Sequence, residues 1–192
     1  MIAAFLVALG YLAGSVPFGV LMTRWLKGVD VRSAGSGNIG ATNVARVAGK
    51  KLGVLVLLLD ALKGALPVVI SLHWASANWL HATVGLAAFL GHVFPIWLRF
   101  RGGKGVATAL GVLAVLVPDS ALAGAGVYVL LFALFRVSSI GSLAGGICAV
   151  AVAMVRERPI EYRILTALLF VLVLYTHRAN IQRLLKKTER SV

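Results

Sequence analysis

Long apolar stretches alternate along this chain with short polar segments, and seven such stretches can be distinguished. A helix needs about 20 predominantly apolar residues to cross the roughly 30 Å of hydrocarbon in a membrane. The pattern therefore predicts an all-α integral membrane protein, a single polytopic membrane domain over residues 1–192 with about seven transmembrane helices. The predicted spans are, to within a few residues, 2–25, 53–74, 80–98, 105–117, 120–136, 139–155 and 163–176.

The fourth stretch is short, because Pro118 and Asp119 end it. It forms either a short span or a re-entrant piece, so five helices and a hairpin are the alternative count. The first stretch lacks both a basic start and a small-residue cleavage site. These absences favour a retained helix over a signal peptide.

Two pairs of glycines have the spacing that lets membrane helices approach each other closely. They are Gly10/Gly14 and Gly141/Gly145. We interpret both as contacts within one bundle, which favours a monomer over a dimer joined along a glycine seam.

The composition leaves no room for a separate soluble domain, because 60% of the residues are hydrophobic and only 13% are charged. A soluble domain usually carries about 25% charged residues. A single cysteine, Cys148, excludes an intramolecular disulfide and a cysteine metal cluster. Neither a metal nor a cofactor is expected, since the histidines form no HExxH pair; they are His73, His81, His92 and His177.

The 19 lysines and arginines divide unevenly between the two sides of a seven-span bundle. The positive-inside rule makes the richer side cytoplasmic, which puts the N-terminus outside and the C-terminus in the cytoplasm. An even number of spans would spoil this division. Lys63 lies within a span, Arg156, Arg158 and Arg163 lie outside, and fifteen are cytoplasmic: Arg24, Lys27, Arg32, Arg46, Lys50, Lys51, Arg99, Arg101, Lys104, Arg136, Arg178, Arg183, Lys186, Lys187 and Arg190.

The net charge of +13 suits binding to anionic lipid or to a phosphorylated substrate, and in so apolar a chain nucleic acid is not the expected partner.

The first cytoplasmic loop, residues 32–46, carries a GxGxxG pattern. A dinucleotide fold is rejected because a membrane helix, not a strand, precedes the pattern. Glycines can still allow successive backbone N–H groups to point at one anion. A helix starting near residue 42 would also attract the anion through its N-terminal dipole. The alternative is a flexible linker; the candidate ligands are Gly35, Ser36, Gly37, Asn38, Gly40, Thr42, Asn43 and Arg46.

The second cytoplasmic loop, residues 99–105, combines three cations with three glycines at a helix start. A positive-inside anchor explains the cations but not the glycines, whereas phosphate binding explains both. The candidates there are Arg101, Gly102, Gly103 and Lys104. Two such loops on one face suggest two phosphorylated substrates or one with two phosphates.

A third polar cluster follows the last span, where His177 and Asn180 are three residues apart and share a helical face. Ser142 belongs to a serine cluster at the same level. Asp60 and Lys63 lie inside the second span, where charges usually pair and face the bundle interior. That pair either supports the structure or lines a site.

Several long motifs resemble one family, the bacterial membrane acyl-phosphate:glycerol-3-phosphate acyltransferases. The resemblance covers nearly the whole chain. The motifs are GSVPFG at 14–19, SAGSGNIGATN at 33–43, DALKG at 60–64, GHVFPIWLRFRGGKGVAT at 91–108 and HRANIQRL at 177–184. Arg101 departs mildly from the family pattern, in which lysine is commoner at this position. The His-x4-Asp motif of acyl-CoA-dependent acyltransferases and the GxSxG motif of serine hydrolases are both absent.

The resemblance implies transfer of a fatty acyl group from acyl phosphate to the 1-position of sn-glycerol 3-phosphate, giving lysophosphatidic acid and inorganic phosphate. This would be the first step of phospholipid biosynthesis, in the inner membrane and in contact with membrane lipid. It assigns the acyl phosphate head group to residues 36–43. It assigns glycerol 3-phosphate to a second set, Arg46, Lys104, Ser142, His177 and Asn180.

Three routes for the reaction remain open at this stage. His177 could take the hydroxyl proton, an oxygen of the substrate phosphate could take it, or Ser36 could form a covalent intermediate. The substrate-assisted route is favoured because no carboxylate is placed to orient His177. A membrane transporter of a phosphorylated solute is the alternative function, although the two related halves typical of transporters are not evident.

Overall fold

The computed structural model describes residues 1–156, 158–189 and 191, and all regular structure in these ranges is helical. This confirms the predicted all-α architecture. Arg190, one of the predicted cytoplasmic cations, lies outside the described residues. The helices are α1 (Ile2–Ser15), α2 (Phe18–Lys27), α3 (Ala41–Ala48), α4 (Lys50–Trp74), α5 (Asn78–Val93), α6 (Val106–Leu116), α7 (Pro118–Phe135), α8 (Ser138–Val155), α9 (Ile160–Thr176) and α10 (Arg178–Leu185).

Five segments of the described chain are long and apolar enough to cross a membrane. They are Ile2–Lys27, Lys50–Trp74, Asn78–Leu98, Pro118–Phe135 and Ser138–Val155. The pair α9 and α10 passes the same test together but bends by 61° between its halves. α6 has only 11 residues, a length of about 16 Å. These lengths support a membrane bundle of five or six spans, and the count of seven stays a prediction.

The starts of α5, α7 and α9 meet at one end of the bundle. There the Tyr162 hydroxyl donates to Asn78 Oδ1 at 3.1 Å, and Arg158 pairs with Asp119 at 2.9 Å. We call this the Asp119 end.

The opposite end gathers the starts of α6 and α8, the end of α9, and α3. Thr176 Oγ1 donates to the backbone oxygen of Lys104 at 3.1 Å, and the hydroxyls of Thr42 and Ser138 lie 3.1 Å apart. We call this the Lys104 end. The three polar motifs of the sequence therefore meet at one end of the bundle.

Glycines bring three helix pairs into close backbone contact. A Cβ on Gly14 of α1 would lie 2.0 Å from the carbonyl oxygen of Ala88 in α5, and one on Gly111 of α6 would lie 1.9 Å from that of Ala61 in α4. Gly145 of α8 similarly faces Gly124 of α7. Both predicted glycine pairs thus contribute contacts inside the bundle, as membrane helices without a hydrophobic driving force require.

The outer surface of the bundle is apolar. On α4, five large side chains at helical spacing are between 48% and 60% exposed. A contiguous apolar face of this size fits lipid rather than water. The residues are Val54, Leu58, Leu62, Leu66 and Val69.

Candidate active site

A cavity of about 440 Å³ opens at the Lys104 end and continues between α6, α7, α8 and α9. Its mouth is polar and cationic, and its inner part is apolar. Such a cavity can hold a charged group at the mouth and a hydrocarbon chain behind it. The polar lining includes Ser36, Asn38, Thr42, Arg46, Asp60, His92, Lys104, Ser138, Ser142, His177, Asn180, Arg183 and Glu189, and the apolar lining includes Leu110, Leu113, Ala121, Gly124, Val129, Gly145, Leu169 and Phe170.

The Gly-rich loop is organised by the buried carboxamide of Asn43, which is 1% exposed. Its Oδ1 accepts the Ser36 N–H at 2.7 Å, and its Nδ2 donates to the backbone oxygens of Val31, Ala34 and Asn38 at 2.9–3.1 Å. A flexible linker would show none of this order. Asn43, predicted as a ligand, has its hydrogen-bonding groups committed to the loop itself.

Two of the three predicted loop glycines adopt the left-handed conformation that favours glycine. Gly35 has φ +62°, and Gly37 has φ +71°. Gly40 has an ordinary φ of −77° and caps α3. Gly40 therefore has a backbone conformation that other residues also adopt. α3 begins at Ala41, one residue before the predicted start, and Ala41 and Thr42 at its first turn line the cavity.

Lys104 is fixed by α9 and α10 at both its backbone and its side chain. Besides the bond from Thr176 to its backbone oxygen, its Nζ donates to Asn180 Oδ1 at 2.5 Å. Burial lowers the pKa of the Lys104 ammonium to about 8; nearby Arg183 and Arg46 add to the shift, and Glu189 opposes it. The ammonium is therefore mainly protonated at neutral pH and held facing the cavity.

Glu189 completes this cluster from the segment after α10. Its carboxylate accepts from Asn180 Nδ2 and Arg183 Nε, each at 2.7 Å. Burial raises the pKa of Glu189, but these two bonds outweigh burial and hold it below the usual range. The carboxylate orients the Asn180 amide so that its oxygen faces Lys104. Sequence reasoning missed Glu189, because a single acidic residue in a basic tail carries no recognisable pattern.

His177 lies in the turn between α9 and α10 and is 2% exposed. Its Nδ1 is 2.9 Å from the backbone oxygen of Val173. A carbonyl can only accept, so Nδ1 carries the proton and Nε2 of the neutral ring has a free lone pair. A backbone carbonyl orients the ring, and among the described residues no carboxylate forms a hydrogen bond with it.

The serine cluster begins α8 beside the mouth. Ser142 Oγ donates to the backbone oxygen of Ser138 at 2.9 Å, and the Tyr128 hydroxyl lies 3.1 Å from Ser138 Oγ. Tyr128 was not predicted. Among the described residues, no group of three or more His, Cys, Asp or Glu side chains is placed to hold a metal ion.

Four predicted ligands do not line the cavity: Gly37, Arg101, Gly102 and Gly103. The N–H of Gly102 donates to the Val93 oxygen, and that of Gly103 donates to the His92 oxygen. Both N–H groups are thus occupied, and these two glycines shape the loop. Arg101 is exposed. Conversely, Asp60 and His92 line the cavity. His92 belongs to the 91–108 motif, but the sequence alone indicated no role for it.

The family model described as glycerol-3-phosphate acyltransferase matches residues 4–187. A glycerol-3-phosphate acyltransferase of Myxococcus xanthus is 66% identical over 186 residues, covering 96% of this chain and 97% of that protein. One from Trichlorobacter lovleyi is 45% identical, covering 96% and 95%.

Two crystal structures of PlsY, an integral membrane glycerol 3-phosphate acyltransferase, are similar to this chain over its full length at 42% identity. The glycerol 3-phosphate form has a TM-score of 0.95 and is covered to 96%. The lysophosphatidic acid form has a TM-score of 0.93 and is covered to 95%.

The loop geometry predicts different responses at two of its glycines. A Cβ on Gly35 would require a left-handed alanine and would lie 2.2 Å from Asn43 Oδ1, the acceptor of the Ser36 N–H. A Cβ on Gly40 meets only Asn38 Oδ1 at 3.0 Å. Gly35→Ala should therefore cost the loop about 1 kcal/mol or more and accelerate amide exchange at Ser36 at least fivefold, as measured by hydrogen-exchange mass spectrometry. Gly40→Ala is the matched control with little change. Equal exchange in the two variants would contradict the structural role of Gly35.

Proposed function

Because this chain belongs to the glycerol-3-phosphate acyltransferase family, we propose that it transfers a fatty acyl group from acyl phosphate to the 1-position of sn-glycerol 3-phosphate. The products are lysophosphatidic acid and inorganic phosphate, and the reaction is the first step of phospholipid biosynthesis. One observation carries the proposal: the cationic mouth and the apolar interior belong to one continuous cavity. Acyl transfer to a phosphorylated alcohol needs both environments side by side.

Glycerol 3-phosphate binds in this proposal at the mouth, next to α9 and α10. The Lys104 ammonium and the Arg46 guanidinium supply charge, and the hydroxyl of Ser142 and the amide of Asn180 supply hydrogen bonds. Charge-assisted bonds to a phosphate are about twice as strong as neutral ones. His177 borders the same space, where its free Nε2 can contact the glycerol hydroxyl.

The acyl phosphate head group binds across the mouth, against the loop of residues 36–43. The first N–H groups of α3 and the Ser36 side chain face the phosphate, since helix N-termini favour anions. Asn43 and Gly35 act indirectly by fixing the loop. The acyl chain extends into the apolar part of the cavity between α7, α8 and α9.

The chemistry needs no cofactor, because acyl phosphate is already an activated mixed anhydride. The 1-hydroxyl oxygen attacks the carbonyl carbon, the bond from that carbon to the phosphate oxygen breaks, and the hydroxyl proton ends on the released phosphate. The hydroxyl proton can pass directly to a phosphate oxygen without the help of a protein side chain. We therefore favour this route over general-base catalysis by His177 or a covalent intermediate on Ser36. Neighbouring cations stabilise the charge that develops on the leaving phosphate.

The enzyme acts in the cell inner membrane with its site facing the cytoplasm. We propose seven crossings, of which α6 forms the fourth, and the loop before it lies at the cytoplasmic mouth of the cavity. The N-terminus, at the Asp119 end, is then outside, in agreement with the charge division between the loops. The glycine contacts inside the bundle support a monomer.

A direct assay tests the proposed function. Purified protein is incubated with palmitoyl phosphate and labelled glycerol 3-phosphate, and in parallel with palmitoyl-CoA. Lysophosphatidic acid should form with the acyl phosphate alone. If vesicles reconstituted with the protein take up labelled glycerol 3-phosphate but form no acylated product, the protein is instead a transporter.

Lys104 gives the reaction a predictable pH dependence. Its folded pKa of about 8 lies below its usual value, so the cationic form is lost as pH rises through 8 in the free enzyme. We expect kcat/KM for glycerol 3-phosphate to fall above about pH 8 and expect Lys104→Arg, which stays charged, to remove that fall.

Lys104→Ala should raise KM roughly 10- to 150-fold, from the loss of about 1.5–3 kcal/mol. An unchanged KM in Lys104→Ala would leave Lys104 only a topology anchor.

Cysteine accessibility tests the orientation. The lone native cysteine is first removed by Cys148→Ser. In intact cells, an impermeant thiol reagent should label cysteine introduced at Arg158 but label cysteine introduced at Gly49 only after permeabilisation. The reverse pattern would contradict the proposed topology without affecting the assay of acyl transfer.

A further inference from the structure

A buried charged cluster lies beneath the cavity, between α4 and α5. Lys63 Nζ pairs with Asp60 Oδ1 at 2.8 Å and donates to the backbone oxygen of Val16 at 2.7 Å. His92 Nδ1 lies 3.7 Å from Asp60 Oδ1. The side chains of Asp60, Lys63 and His92 are only 3–4% exposed. The burial of Lys63 is explained by its hydrogen bond to Val16, which lies between α1 and α2. The burial of the His92 ring has no such explanation.

His92 is unusual because it is buried without completing its hydrogen bonds. Its distance to Asp60 is too long for a hydrogen bond, and within the described chain Nδ1 has no other partner. Nearly all buried polar side chains in folded proteins are satisfied, so the exception needs a reason. The ring also lines the cavity.

The other edge of His92 supports the loop that carries Lys104. The His92 oxygen accepts the Gly103 N–H at 3.1 Å. A Cβ on Gly103 would lie 2.1 Å from His92 Nε2, and one on Gly102 would lie 2.1 Å from the His92 oxygen. The two glycines are therefore needed for the backbone to lie directly against this histidine. Lys104 is the next residue.

We propose that His92, which lies beside Asp60, is a positioning residue. Its ring fixes the position of the Gly103–Lys104 backbone and so places the Lys104 ammonium at the mouth of the cavity. The inference rests on the proposed function in one respect, that Lys104 binds the phosphate of glycerol 3-phosphate. α9 and α10 hold Lys104 from one side through Thr176 and Asn180, and the His92 ring holds its backbone from the other. Either support alone would leave the segment free to move.

The alternative is that His92 contributes only to the packing of α5. His81 lies on the same helix and provides the matched control. It is 2% exposed against 3% for His92, and it shares a hydrogen bond of 3.0 Å with Ser71, but it does not line the cavity. A change of histidine to glutamine at either position removes a buried ring from α5. Only the change at His92 also removes the ring contact with Gly103, and the bond from the Gly103 N–H to the His92 backbone oxygen is kept.

The experiment measures the Kd of labelled sn-glycerol 3-phosphate with detergent-purified protein, together with the KM and kcat of acyl transfer from palmitoyl phosphate. His92→Gln should raise Kd and KM about tenfold and change kcat less than threefold, and His81→Gln should change none of them. Residues that act through one contact are not additive. His92→Gln should therefore have no further effect on Kd in the Lys104→Ala background.

Three results would overturn the proposal. An additive effect in the double variant would mean that His92 contacts the substrate directly. Equal effects of His92→Gln and His81→Gln, or an unchanged Kd in His92→Gln, would mean that the ring only packs. Should His92→Gln fail to fold, Gly103→Ala decides, because its methyl group perturbs the same contact from the loop side and must reproduce the rise in Kd. Binding by wild-type protein without acyl transfer would refute the proposed function and leave the positioning test intact.

Discussion

The junction between Lys104 and the end of α9 is the constraint on which the polar end of the molecule depends. Thr176 holds the backbone of Lys104, and Asn180 holds its ammonium. To make both contacts, the loop before α6 lies against α9 and α10, and α6 itself has only 11 residues. The short helix, the glycines before it and the bend of 61° between α9 and α10 are therefore parts of one arrangement. It places a cation at the boundary between a polar mouth and an apolar groove.

The polar side chains at this end divide into two groups according to where their hydrogen bonds go. Asn43 uses its amide on the loop that surrounds it, and Glu189 uses its carboxylate on Asn180 and Arg183. Such groups hold the others in place, because a buried polar group left unsatisfied would destabilise the fold. Lys104 and His177 are each fixed on one side and face the cavity on the other. A pre-organised cation such as the Lys104 ammonium stabilises a developing charge without having to reorganise.

The combination of a cationic mouth and an apolar interior also explains why the protein resides in a membrane. An acyl donor presents a charged head and a long hydrocarbon chain, which no single solvent suits. A cavity between membrane helices offers each part its own environment, and the apolar outer face of the bundle suits lipid. Low dielectric around the mouth strengthens the attraction between phosphate and cations, while it also shifts the pKa of Lys104 to about 8.

The sequence by itself determined the helical membrane architecture, because apolar stretches of spanning length have few alternatives in lipid. It also located the three polar motifs, since glycines and cations clustered at loops are visible without coordinates. Only the tertiary structure decided which of these residues face the cavity. Gly102 and Gly103 proved to pack on His92, Asn43 to organise its own loop, and Gly40 to need no special φ. The roles of His92 and Glu189 could not be read from the sequence because they arise from tertiary contacts. A local pattern records composition and period but not the direction in which a side chain's hydrogen bonds point.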